Sequence, residues 1–154
     1  MSTTTASRAG KYLTFVLGAE QYGVEIVKVR EILGVLPITP MPQAPGYVKG
    51  VINLRGRVIP VVDIRTKFGM PEKKNTPETC VIVVDVGGKS TGLLVDTVRE
   101  VMDIPEEQIE APPHFGAGVD AGFVHGLGKI GGHVKILLDI DHVLGDFKVP
   151  VVSC

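Results

Sequence analysis

The chain has 154 residues and a formal net charge of −1, with 16 Lys plus Arg against 17 Asp plus Glu. That is the size of one ordinary domain or two small ones, and the balance of charge excludes a basic nucleic-acid stripe or a polybasic membrane patch. With 44% hydrophobic and 21% charged residues the composition is globular, and no apolar run approaches the roughly 18 residues of a membrane helix.

Residues 1–10 lack the apolar stretch of a signal peptide and read as a disordered tail. Tyr12 to Leu17 is a β-rich run ending at Gly18, and a second strand follows through Gly23 and Val24. A short helical piece leads to a connector holding Pro37, Pro40, Pro42 and Pro45. Next come a strand, a glycine turn at Gly56, the strand Val58 to Ile64 and a short helix. Pro60 has no N–H to give a ladder, so it is expected on an edge or at a bulge. The polar segment from Pro71 to Pro77 joins the halves. Cys80 to Val86 is a strand turning at Gly87-Gly88-Lys89, and a second connector holds Pro105, Pro112 and Pro113.

The closing segment repeats the earlier one. Tyr47–Gly69 lies over Phe123–Gly145 at an offset of 76 without a gap, and seven of 23 positions are identical. Gly23–Glu31 lies over Gly92–Glu100 at an offset of 69. With 24 Val and 12 Ile, 19 Gly and 11 Pro, the fold class is mainly all-β. The expected architecture is two five-stranded, pseudo-symmetric antiparallel barrels with short helical connections. The expected boundaries are a tail over 1–10, barrels over 11–76 and 77–147, and a C-terminal tail over 148–154. A half of about 70 residues has a marginal core, so the halves are expected to pack on each other and leave a groove.

Motifs that suggest chemistry fail on context. Gly88-Lys89-Ser90 resembles the end of a phosphate loop, but Val83 stands where that loop needs glycine and strands flank it. Gly126-Leu-Gly128-Lys-Ile-Gly131 satisfies GxGxxG, but a strand follows it and not a helix. Asp63 and Asp139 are related by the repeat, yet neither is followed by the hydroxyl residue and glycine of an aspartic protease. Each is expected to cap the short helix after it. His114, His125, His133 and His142 show no ligand spacing. Cys80 and Cys154 form no CxxC, which fits a reducing cytoplasm.

The repeat is an internal control, because features in one half only are the better candidates for function. Gly56 recurs as Gly132, but Arg55 faces Gly131, so the turn does not require a guanidinium. Arg55 is therefore free for bidentate recognition. Leu54 and Ile130 either expose an aliphatic residue at each turn tip or point inward and pack. Arg30-Glu31 recurs as Arg99-Glu100, which leans that pair towards structure.

The run from Gly46 to Arg65, GYVKGVINLRGRVIPVVDIR, closely resembles the signature of the CheW family of bacterial chemotaxis coupling proteins. Gln21–Ile26 and Val29–Ile32 match the start of that family, and Gly126-Leu-Gly128 with Ile136–Ile140 its end, so the resemblance spans residues 11 to 145. It implies two intertwined SH3-like barrels, no catalytic activity and no cofactor. It also implies two partners, the regulatory domain of the histidine kinase CheA and the cytoplasmic tip of methyl-accepting chemoreceptors. No nucleic acid and no membrane insertion are implied. The protein would be cytoplasmic and recruited to receptor arrays. Asn53, Leu54, Arg55 and Gly56 match positions tied to coupling, and Val29, Glu31 and Ile32 match the receptor-facing side or its groove. The family often ends in a C-terminal helix, which Pro150 disfavours here. One alternative is the same module in another motility or second-messenger phosphorelay. A different class would be a small ligand-binding or enzymatic barrel using the cleft.

Overall fold

The computed structural model describes residues 10–71, 74–111 and 123–144. Of the expected tails over 1–10 and 148–154, residues 1–9 and 148–154, with Cys154, lie outside the described residues, as do Pro112, Pro113 and His114, whereas Gly10 is not tail but opens the first strand, paired with Ile104. In chain order the strands are β1 (Gly10–Leu17), β2 (Glu20–Glu25), β3 (Val29–Gly34), β4 (Val48–Leu54), β5 (Arg57–Asp63), β6 (Cys80–Val86), β7 (Lys89–Val95), β8 (Thr97–Ile104), β9 (Ile109–Glu110), β10 (Val124–Ile130) and β11 (His133–Leu138). Two one-turn helices follow strands, α1 (Ile64–Lys67) after β5 and α2 (Ile140–Val143) after β11.

The repeat is reproduced in the structure. Adding 76 to β4 and α1 gives the bounds of β10 and α2. The β-bulge at Val48/Gly50 recurs at Val124/Gly126. Asp63 accepts from the Arg65 N–H at 3.0 Å and Asp139 from the His142 N–H at 3.1 Å, so both aspartates cap their helices. Gly87-Gly88 is a hairpin turn, and Gly126–Ile130 is strand.

Two sheets form, one with the order β8-β1-β2-β11-β10-β9 and one with β3-β6-β7-β5-β4. Each draws on both halves of the repeat, so residue 76/77 is a boundary of sequence and not of sheets. The chain crosses between sheets at Ile26–Lys28 and again at Asp96. The sixth strand, β9, has only two residues. Its counterpart is the bridge Thr39↔Val51, so the two sheets remain equivalent. The expected all-antiparallel pairing does not hold, because β2–β11 and β5–β7 are parallel. Strands joined across the halves are free of the hairpin connection that forces antiparallel pairing.

Pro60 is not on an edge strand: it sits in β5, between β7 and β4, opposite Val51. Val51 commits both backbone groups to Thr39, at 2.9 Å and 2.8 Å, so Pro60 faces no acceptor there. On the other side the ladder to β7 starts only at Val61. The missing donor is therefore not missed.

Three clusters make the core. The largest joins the sheets, with Leu13, Phe15, Leu17 and Val24 from one and Val62, Ile82, Val84 and Leu93 from the other. Each such side chain contributes about 1.5–3 kcal/mol on burial. Separate clusters line the five-stranded sheet (Ile52, Leu54, Ile59, Val61, Val81, Val83, Leu94) and the six-stranded one (Tyr12, Ile104, Ile109, Leu137). A buried ion network fastens the second crossing. Arg65, 2% exposed, binds Asp96 at 3.0 Å and Asp63 at 3.2 Å, and Asp96 also accepts from the Gly18 N–H at 2.8 Å.

Candidate functional site: a strained turn at one end of the five-stranded sheet

β4 and β5 are joined by the two residues Arg55 and Gly56, with φ of +51° and +84°. The equivalent β10–β11 turn is Gly131-Gly132, with φ of +59° and +82°. A two-residue hairpin of this type needs positive φ at both positions, which glycine adopts without cost. An L-residue at the first position is strained by about 1 kcal/mol or more. Asn53 stabilises the turn, its Oδ1 accepting from the Gly56 N–H at 2.9 Å. Arg55 is held in that conformation with its side chain 69% exposed.

The Arg55 guanidinium pairs with the Glu31 carboxylate on β3. β3 and β4 are opposite edges of the sheet order, so the pair spans its two ends and shows how strongly the sheet curls. The pair exists in one lobe only. Glu100, the copy of Glu31, is exposed, and the copy of Arg55 is Gly131, which has no side chain to offer. The structural reading of Glu31 drawn from its recurrence is thus corrected: the repeat preserved the residue, and only one copy has this partner.

The other candidates divide by face. A bulge between Val29 and Glu31 adds a residue to β3, so Val29 and Ile32 pair with Val84 and Ile82, both of the core shared by the two sheets. Val29 packs on that core and Ile32 is 44% exposed beside it. Glu31 pairs with Val83 of the other face, on the side of the Arg55 turn. Leu54 is 8% exposed and belongs to the core of the five-stranded sheet, and Ile130 packs partly buried in its own lobe. The aliphatic residues before the turns therefore point inward, and Leu54 supports the turn from below.

Sequence reasoning missed several groups around this end. Arg30 pairs with Asp85 next to the β6–β7 turn. The guanidinium bonded to it holds the Asp85 carboxyl below the usual aspartate value, against the opposing effect of desolvation. Arg57, the first residue of β5, is exposed, and its copy is His133. None carries a local motif. For Arg57 the available signal was its difference from His133, whereas Arg30 recurs as Arg99 and gave none. Among the described residues no three His, Cys, Asp or Glu side chains group as metal ligands, and no helix is long and apolar enough to cross a membrane.

The chain is a duplicated pair of interlocked β-sheets with distinctive charged groups on one exposed turn. The model of the CheW-like domain matches residues 11–148, and the chain belongs to that family. It is 37% identical over 143 residues to the chemotaxis protein CheW of Klebsiella aerogenes, covering 93% of this chain and 86% of that protein. It is 37% identical over 145 residues to the chemotaxis protein CheW of Rhizobium meliloti, covering 89% and 94% respectively. The crystal structure of the scaffolding protein TtCheW from Thermoanaerobacter tengcongensis superposes with a TM-score of 0.83 at 34% identity, covering 92% of this chain and 94% of that one.

Proposed function

We propose that this protein is a non-catalytic chemotaxis adaptor that couples chemoreceptors to the histidine kinase CheA and works at receptor arrays on the inner face of the membrane. Its family membership and its likeness to a scaffolding protein support the adaptor role. The observation that carries the coupling site is the strained, exposed Arg55 turn beside an unstrained glycine copy. A fold that is satisfied by glycine at that position keeps arginine for contact with a partner.

In this reading the labour is divided between two surfaces. The end of the five-stranded sheet, with Arg55, Glu31, Asn53 and Gly56, docks the regulatory domain of the kinase. The face of β3 towards the other sheet, with Val29 and Ile32, takes the receptor tip by aliphatic contact. Two modest contacts held on one rigid body gain strength together by effective concentration. The receptor's conformational state then biases the kinase between active and inactive populations.

The test is autophosphorylation of a CheA-type kinase with receptor-containing membranes, with and without this protein. Strong stimulation only in the three-component mixture supports the reading. A folded protein that leaves the kinase rate unchanged with its cognate receptor and kinase overturns it.

A further inference from the structure

Beside the Arg55 turn lies a cleft of about 290 Å³. Leu54, Ile59 and Val83 lie buried at its base, and its open surface is mostly polar, lined by Arg30, Glu31, Arg57, Gly88 and Ser90. It lies at the small end of the range of ligand pockets, which start near ~300 Å³, and suits one side chain better than an extended molecule.

The charges around it are unequally committed. Arg30 is paired with Asp85, and Arg55 with Glu31. Arg57 has no carboxylate partner among the described residues and reaches only the Ser90 hydroxyl, at a long 3.4 Å. Counting Arg30, Arg55 and Arg57 against Glu31 and Asp85, this end carries one uncompensated positive charge. A guanidinium fork in a mostly polar cleft, with a hydroxyl beside it, is complementary to a carboxylate. The repeat again acts as control, since His133 stands in the other lobe and the fold does not require arginine there.

We propose that this cleft is an acid-accepting notch: one Asp or Glu side chain of the docked kinase enters it and pairs with Arg57. The inference rests on the coupling reading above and adds the chemistry by which the partner is seated. Glu31, already paired with Arg55, lines one side, and Arg57 supplies the charge that the partner completes. Such a contact is felt within a Debye length, about 10 Å at 0.1 M salt, so it aids encounter as well as affinity.

The experiment measures the dissociation constant for full-length CheA-type kinase, and separately for receptor membranes, using the parent protein and Arg57→Lys, Arg57→Ala, Arg57→Glu and Arg55→Glu. Arg57→Glu is expected to weaken kinase binding at least tenfold and Arg57→Ala about threefold. Arg57→Lys, which keeps the charge but not the fork, weakens it less than Arg57→Ala, receptor binding is unchanged, and the parent loses affinity more steeply with salt than Arg57→Ala. Kinase binding by Arg57→Glu equal to the parent, with Arg55→Glu defective, overturns the notch and leaves the coupling site standing. Parent-like kinase binding by both overturns the coupling site as well. Loss of receptor binding alone overturns the assignment of the occupant. If Arg57→Glu fails to fold, Arg57→Ala decides, and unchanged affinity there overturns the proposal.

Discussion

The two hairpins β4–β5 and β10–β11 have the same backbone and different first residues. Gly131 takes φ +59° freely, whereas Arg55 takes +51° against its own preference. The helices after them show the same inequality. Position 65 is a buried arginine bound to Asp63 and Asp96, and its copy, Asp141, is half exposed and bound to Lys28 at 2.8 Å. Duplication thus supplied two equal frameworks, and each later took on different work. One lobe holds the buried fastening and the strained turn, and the other keeps the unstrained turn.

The helix comparison should break first and hardest. Arg65→Ala removes the buried cation that Asp63 and Asp96 share, leaving Lys49 at 3.8 Å from Asp63, and is expected to cost about 3–5 kcal/mol in denaturant melts. Asp141→Ala removes an exposed pair and should cost under about 1 kcal/mol. Equal losses would show that the lobes share the load evenly. A smaller effect is expected at Gly50, where an added Cβ would stand 2.1 Å from the Thr39 carbonyl oxygen. Gly50→Ala should open the Thr39–Val51 bridge and cost about 1–3 kcal/mol, read by the same melts and by faster amide exchange at Val51.

The turns themselves sharpen the comparison. Arg55→Gly relieves the strained residue and gives up only an exposed ion pair, so it should raise stability by about 0.5–1 kcal/mol. Gly131→Arg should lower it by a similar amount. The smallest effect concerns Asp85. Its folded pKa lies below the unfolded value, so the stability it lends is present above the usual aspartate pKa and is lost as pH falls through the lowered one. A carboxyl-carbon titration should place its midpoint below the usual aspartate value, and Arg30→Ala should raise it.

Much of the fold could be read from the sequence because a gapless offset of 76 carries bulge, turn and helix cap together, and each of those has a local signature. Most strands, the capping aspartates and the turn at Gly56 followed from residue type alone, but β3 and β8 lie where a short helical piece was expected to lead straight to the proline connector. The exchange of strands between halves did not follow, since no local pattern states which β-strand lies beside β7. Pro60 misled for the same reason: its tolerance comes from Thr39, twenty-one residues away in the chain. At the site, Arg55 was legible as the residue that departs from its copy. Its strain, its pairing with Glu31 and the cleft with Arg57 depend on the curl that brings β3 to the β4–β5 turn, and Leu54 faced inward because the pleat gave it to the core.

The central claim is that Arg55 is kept for a partner at the expense of the fold. The most direct test is Arg55→Gly, followed by thermal unfolding and by receptor-dependent kinase autophosphorylation. The account predicts a protein at least as stable as the parent that no longer couples receptor to kinase. An Arg55→Gly protein that stimulates the kinase as the parent does would contradict it.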